Sequence, residues 1–421
     1  MRVVIIGSGL AGVTTAWFLR ALGVDVVVVE RASAVARETS FANGSMLTPS
    51  LADPWNAPGS LGKLLRSFGR EDAAMLLRVG ALPSLLGWGV RFLRSSRQKP
   101  FLESFLANVH LARYSQEVMQ ELLQGVAPGE LDFDYAPDGT IKVFNSEQSL
   151  QRGREIANWL QQAGIRHQTL DLDSLLELEP ALGPGSDRLA GGIHYPQDEV
   201  GNARRFCEQL HRLAADCGVD FRFSEMVLDI ERDQGRISAI RTSREVLKAD
   251  AFVLAAGSYS WPLGKKFGIA VPVRPAKGYS LTIANAMTGG GPVMAVVDDA
   301  LHAAVVPLRE GLLRAAGTAE FAGFDAQVHS HRVANLRTLL GTLYPQLDNQ
   351  AVEGEAWCGF RPMTPDGRPL LGASRIPNLY LNTGHGPLGW TQACGSGRAV
   401  AELITSGSSE FVLKDFLPER F

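Results

Sequence analysis

Apolar residues follow two rhythms along this chain. Val3–Ile6 is a short unbroken apolar run, as expected for a parallel strand buried on both faces. Helix-compatible residues continue to Leu22, Gly23 ends that helix, and Val26–Val29 make a second buried strand closing on Glu30. Far downstream, Asn202 is an N-cap candidate for a helix whose apolar stripe is Phe206, Leu210, Leu213, Ala214 and Cys217, with Gly218 as its stop. Val219, Phe221 and Phe223 then alternate like a half-buried strand, and Ala251–Ser260 reads as a buried strand running into Ala256-Gly257. A third piece, "NLYLNTGHGPLGWTQACGSGRAVAELI", reads strand, glycine turn, helix, the helix starting near Trp390 with Ala393, Val400 and Leu403 on its packing faces.

Between these pieces the character changes. Helical patterns dominate 61–199, whereas 265–350 contains the strand-like "YSLTIAN" and "HAAVVPL". The simplest layout is an α/β chain with a discontinuous Rossmann-like nucleotide domain (1–60, 200–264 and 351–421). Into it is inserted an α+β substrate domain (61–199 and 265–350) built on a mixed or antiparallel sheet.

The first turn carries chemistry. Gly7, Gly9 and Gly12 have the G-x-G-x-x-G spacing between a strand and a helix, and an acid, Glu30, stands 18 residues beyond Gly12. Gly7 permits the tight turn, Gly9 lets a pyrophosphate approach the backbone, and Gly12 lets helix and strand pack closely. The helix N-terminus offers free N–H groups to the phosphates, and Glu30 is placed for a ribose. This fingerprint does not separate NAD from FAD. The next loop, with Thr39, Ser40, Asn43 and Gly44, is small and polar enough to line an extended cofactor beyond its pyrophosphate.

Composition narrows the reading further. At 421 residues, two domains are the default, and a net charge of −3 gives no electrostatic case for nucleic acid. No apolar run reaches the ~20 residues of a membrane-spanning helix. The first strand begins so early that no signal peptide is expected, which points to the cytoplasm. Cys207, Cys217, Cys358 and Cys394 lack metal spacing and do not suggest a disulfide framework.

Five stretches carry a family resemblance: "VVIIGSGLAGVTTAW", "ETSFANGS", "KGYSLTI", "GFRPMTPDGRPLLG" and "LNTGHGPLGWTQACGSG". Together, in this order, the chain resembles the D-amino-acid oxidase superfamily of flavoproteins, and within it the bacterial D-amino-acid dehydrogenase small-subunit type. The resemblance implies FAD and the oxidation of D-amino acids. The amine loses a proton, the Cα–H passes as hydride to flavin N5, and water hydrolyses the imine to a 2-oxo acid and ammonia. It implies an acceptor that is often not oxygen, a quinone for example, and hence a peripheral contact with the inner face of the cell membrane. The stretch 84–95 is the candidate for that contact, with Leu85, Trp88, Gly89, Phe92 and Leu93 on one helical face followed by Arg94, Arg97 and Lys99.

By the same resemblance Gly384, His385, Gly386, Leu388, Gly389, Trp390 and Thr391 form the turn against the flavin ring. There free N–H groups stabilise the charge that reduction places on the N1–C2=O edge. Thr39, Ser40, Asn43, Gly44, Ser45 and Met46 run along the ribityl chain and ring. Val227 meets the adenine, Ala256 and Gly257 close over the diphosphate, and Leu10, Ala11, Arg31 and Trp261 complete the cofactor contacts. Arg361 stands at the carboxylate-binding position, where a forked cation suits a carboxylate brought into an apolar pocket. Tyr279 is expected to donate a second hydrogen bond, and His385 is either a catalytic acid–base or a packing residue beside the cofactor. Cys358 is one residue out of register with the site of covalent flavin attachment in some relatives, so noncovalent FAD is expected. A glycine-, sarcosine- or hydroxyproline-type amine oxidase or dehydrogenase shares these motifs, and a non-catalytic flavin-binding subunit is the remaining alternative.

Overall fold

The computed structural model describes residues 1–60, 62, 70–71, 73–284, 286, 291–347 and 354–421. The apolar runs Val3–Ile6 and Val26–Val29 become the strands Arg2–Ile6 and Asp25–Val29, paired in parallel with Val3 opposite Val26 and Ile6 opposite Val29. They are central in a six-stranded sheet ordered Leu370–Ala373, Leu379–Thr383, Ala251–Leu254, Arg2–Ile6, Asp25–Val29 and Asp220–Arg222. All neighbours are parallel except the edge strand Leu370–Ala373, which runs antiparallel to Leu379–Thr383. The helices Leu10–Ala21, Ala203–Asp216 and Ala393–Ser406 cover it. Asn202 caps the second of these by accepting a hydrogen bond from the Arg205 N–H. Two differences from the sequence pattern are local. The stretch after Asp220–Arg222 leaves this sheet and forms a separate three-stranded sheet from Val227–Asp233, and the last helix starts at Ala393 rather than near Trp390.

A second, nine-stranded sheet is mixed. Its order is Glu355–Met363, Arg274–Ile283, Leu313–Phe321, Ala303–Pro307, Ala295–Asp298, Thr140–Phe144, Gly191–Tyr195 and Gln168–Leu170, with Met75–Leu77 pairing the end of Leu313–Phe321. "YSLTIAN" and "HAAVVPL" contribute two of these strands, although Asn285 at the end of the former lies outside the described residues. The helix Ser330–Leu343 packs on one face of the sheet through Leu336, Leu339 and Leu340.

The division at 351 is corrected. Glu355–Met363, expected in the nucleotide segment, pairs antiparallel with Arg274–Ile283 in unbroken register from Arg274 opposite Met363 to Thr282 opposite Glu355. Its backbone hydrogen bonds therefore assign it to the second sheet. The expected boundaries at 61, 350 and 351 fall outside the described residues.

The expectation for 84–95 is corrected too. The helix Leu82–Ser95 turns Trp88 and Phe92 inward, where their rings stack 5.1 Å apart and the Trp88 indole N–H donates to the Met363 carbonyl. Burying two aromatic rings against the strand of Arg361 is worth more than exposing them. The outward apolar residues are Leu86 and Val90, 70% and 51% exposed, with Leu93 beside them.

Candidate active site

A cavity of about 920 Å³ lies where the two sheets meet, with walls from both. At its nucleotide end the glycines behave as their spacing predicts. Gly7 has φ +106°, and a Cβ there would sit 2.8 Å from the Ala255 carbonyl oxygen. At Gly12 a Cβ would come within 1.9 Å of the Gly7 carbonyl oxygen, so this glycine is a packing requirement behind the wall. Gly9 is open apart from Ser40 Oγ, 3.3 Å from a Cβ built there. Among the described residues no intrachain acceptor meets the N–H groups of Gly9 and Ala11, which line the cavity.

Glu30 is held rigidly. Its carboxylate accepts from the Ser8 N–H at 2.8 Å, the Ser8 hydroxyl at 2.9 Å and the Ala32 N–H at 2.8 Å. Arg31 lies 3.6 Å over the Tyr259 ring and pairs with Glu38. Val227, Ala256 and Gly257 line the same end, Gly257 at φ +51° with open space where a side chain would be.

The loop after Glu30 supplies the side wall, though its hydroxyls are committed within the chain. Thr39 Oγ donates to the Phe360 carbonyl at 2.7 Å, and Ser40 Oγ accepts the Leu10 N–H at 3.2 Å. Ser45, at φ +56°, accepts from Arg314 Nη1 at 2.9 Å, while Asn43 Oδ1 accepts the Ser45 N–H. Gly44 and Met46 complete this wall. Sequence reasoning missed Arg314. It is a buried guanidinium with no carboxylate bonded to it among the described residues, pushed down to about 10 by burial, that clamps the loop.

At the C-terminal turn, Gly384 (φ +81°) and Gly386 (φ +56°) take the left-handed conformation, which favours glycine. Among the described residues the N–H groups of Gly389, Trp390 and Thr391 have no intrachain acceptor, and all three residues line the cavity. The later helix start thus leaves three donors ahead of the helix rather than within its first turn. The side chains here serve packing. The Trp390 indole N–H donates to the Gly201 carbonyl at 2.9 Å, Thr391 Oγ accepts the Thr48 N–H, and Leu388 is buried in a core cluster. Open glycine backbone at one end and three free N–H groups at the other fit an extended dinucleotide ending in an anionic ring edge.

At the other wall stands Arg361. Its guanidinium lies against Gly278, where a Cβ would approach Nη1 to 2.1 Å, and 5.3 Å from the Trp55 ring centroid. Nη1 donates to the Thr318 carbonyl at 2.8 Å; among the described residues Nε and Nη2 make no hydrogen bond, and no carboxylate pairs with it. Burial pushes Arg361 down to about 10, which still leaves it charged at neutral pH. A cavity-lining cation without its anion is arranged to receive one.

Several expected roles need correcting. Tyr279 pairs with Cys358 while Arg361 pairs with Ala276, so the pleat puts Arg361 with Gly278 on one face and Tyr279 on the other. Tyr279 is 1% exposed in the cluster under the helix Ser330–Leu343, and its hydroxyl donates to Glu320 Oε2 at 2.8 Å. It is not a free donor toward Arg361. Cys358 shares that face of the sheet and does not line the cavity. Trp261 also lies outside the wall, beneath the Arg274 guanidinium at 3.8 Å. Gly12 and Gly384 shape the wall from behind. His385 lines the cavity, but burial pushes it down to about 4, and its Nε2 is hydrogen-bonded with Ser396 Oγ at 3.1 Å. An imidazole held neutral in this way is not a general acid near neutral pH.

Comparison with known proteins agrees with this geometry. The family model described as FAD dependent oxidoreductase (DAO) matches residues 2–403. A D-amino acid dehydrogenase of Vibrio vulnificus (strain CMCP6) is 37% identical over 410 residues, covering 97% of each chain. One from Methylobacterium sp. (strain 4-46) is 37% identical over 424 residues, covering 100% of this chain and 99% of that one. Glycine oxidase from Bacillus cereus ATCC 14579 shares the fold with a TM-score of 0.77 at 23% identity, over 99% of this chain and 98% of that one. A match along nearly the whole sequence, to a fold with a glycine-opened cavity and a C-terminal turn of free N–H groups, leads to one conclusion: the chain belongs to the FAD-dependent oxidoreductases of the DAO family.

Proposed function

We propose that this chain oxidises the α-amine of D-amino acids, giving a 2-oxo acid and ammonia, and passes the electrons to an acceptor other than oxygen. The observation that carries this reading is Arg361, a charged guanidinium facing the cavity with no acidic partner among the described residues. The relatives named D-amino acid dehydrogenase supply the substrate class.

Bound FAD supplies the two-electron acceptor for the substrate Cα–H. Arg361 takes the substrate carboxylate through its open N–H groups, and Trp55 and Gly278 keep the guanidinium in place. Fixing that end orients Cα, which is the main catalytic contribution such a site makes. The free N–H groups of Gly389, Trp390 and Thr391 stabilise charge on the reduced cofactor's edge. Water then hydrolyses the imino acid.

Anaerobic mixing with a panel of D- and L-amino acids, glycine and proline tests the assignment. Bleaching of the flavin absorbance by D-amino acids is expected, and selective bleaching by glycine or proline would replace this reading with a glycine- or secondary-amine one. For the acceptor, a quinone should reoxidise the flavin faster than oxygen does.

A quinone acceptor favours a membrane contact, although no helix among the described residues is long and apolar enough to cross a membrane. The outward side of Leu82–Ser95 suits such contact, with Leu86 and Val90 exposed beside Arg91 and Arg94. Liposome flotation should weaken with Leu86→Ser plus Val90→Ser, and unchanged flotation would remove this surface from the reading.

A further inference from the structure

We propose that Thr318 is a second positioning residue for the substrate: its backbone sets the Arg361 guanidinium, and its hydroxyl hydrogen-bonds the substrate carboxylate. The inference rests on the amino-acid reading above and fills the place left by Tyr279.

Thr318 lies in the strand Leu313–Phe321 at an irregularity. Tyr279 is opposite Gly317 but Lys277 is opposite Glu320, so one extra residue is inserted beside Gly278. Such a bulge re-aims the groups it carries. Thr318 sits there at φ +53°, a left-handed conformation that a β-branched residue adopts only when its surroundings impose it. Its carbonyl consequently meets Arg361 Nη1 at 2.8 Å. The bulge thereby fixes one edge of the fork and leaves the other edge for a ligand.

The side chain is the second observation. Thr318 lines the cavity and is 6% exposed, yet its hydroxyl has no hydrogen-bond partner among the described residues. Orphaned buried hydroxyls are uncommon and call for a partner from outside the polypeptide. A carboxylate has about four acceptor sites, more than one guanidinium edge fills, and a hydroxyl proton rotates to reach one. The neighbours of Arg361 on this wall, Trp55, Gly278 and Gly359, offer no hydroxyl.

The holoenzyme variants Thr318→Val, Thr318→Ser and Thr318→Gly separate this role from a merely structural one. Pyruvate, titrated by its effect on flavin absorbance, is the carboxylate probe, and D-alanine is the substrate. Thr318→Val should weaken pyruvate binding and raise KM by roughly 10-fold or more, with a smaller change in kcat. Thr318→Ser, which keeps the hydroxyl, should stay near wild type. Thr318→Gly, which relaxes the backbone without restoring the hydroxyl, should match Thr318→Val. Wild-type pyruvate affinity in Thr318→Val, or equal damage in Thr318→Ser, overturns the proposal. A wild-type flavin that no D-amino acid reduces would overturn the amino-acid reading instead, while the pyruvate titration still reports on Thr318.

Discussion

The two ends of the cavity are built from different materials. The end proposed for the cofactor is almost entirely backbone: glycines that remove side chains, and N–H groups with no acceptor among the described residues at Gly9, Ala11 and Gly389–Thr391. Its hydroxyls and indole are spent on holding the wall together. The end proposed for the substrate presents one side chain, the Arg361 guanidinium, with Gly278 and Thr318 shaping the space and direction it has. A backbone site tolerates many side-chain exchanges but no added Cβ at its contact points. A side-chain site tolerates the reverse, and it determines what is bound rather than whether the fold closes.

Substitutions can break this contrast at either end. The largest effect is expected from Gly12→Val, whose Cβ would start 1.9 Å from the Gly7 carbonyl oxygen. The protein should lose FAD and most of its soluble folded yield; a yellow, stable variant would show that the helix can slide away. Next comes Arg361→Leu. Removing one member of a buried charge pair costs roughly 2–5 kcal/mol, or about 30-fold to several-thousand-fold in kcat/KM. The flavin spectrum should be unaltered, and Arg361→Lys should recover only part of the loss. Gly278→Ala sharpens the contrast, because its Cβ would displace the flexible end of Arg361 and not the backbone. A drop of up to roughly 100-fold in kcat/KM with normal FAD binding is expected.

Smaller effects should appear at lining residues whose polar atoms are hydrogen-bonded within the chain. Tyr279→Phe removes the hydrogen bond to Glu320. It should cost about 1.5–3 kcal/mol of stability with kcat/KM unchanged, whereas a specific loss in KM would return this tyrosine to the substrate. His385 bears on pH. Its folded value, about 4, lies below the ordinary value of 6.5. Above 6.5 both states are neutral. As pH falls, the unfolded chain takes the proton first, so stability is lost between 6.5 and 4. At pH 5.5 the loss is about 1.4 kcal/mol, and it should vanish from the urea-midpoint profile of His385→Gln.

The contrast also explains what the sequence discloses. Gly7, Gly9, Gly12 and Glu30 are legible because a turn between strand and helix is a local event, encoded in spacing alone. Arg361 becomes legible only through family resemblance, since nothing in "GFRPM" distinguishes a ligand from a surface ion pair. Tyr279 misleads because its face relative to Arg361 depends on cross-strand register, and no single strand carries that information. Gly278 and Thr318 are hidden for the same reason: the first matters through a guanidinium on the next strand, the second through a bulge that exists only once the strands pair. Trp88 and Phe92 show the matching limit for helices, where the spacing reveals an apolar face but not whether protein or solvent meets it.

The three-part sheet sets a timetable for biogenesis. The strand Arg2–Ile6 needs Ala251–Leu254 on one side, and that strand in turn needs Leu379–Thr383. At about 5–20 residues per second on the ribosome, the first strand waits roughly 12–50 s for its far neighbour. The glycine turn Gly384–Thr391 emerges later still. A nascent chain therefore has the first glycine turn, Gly7–Gly12, long before it has the second. Completion of the cavity belongs to the finished polypeptide, and until then the valine-rich strands carry unpaired edges open to foreign strands.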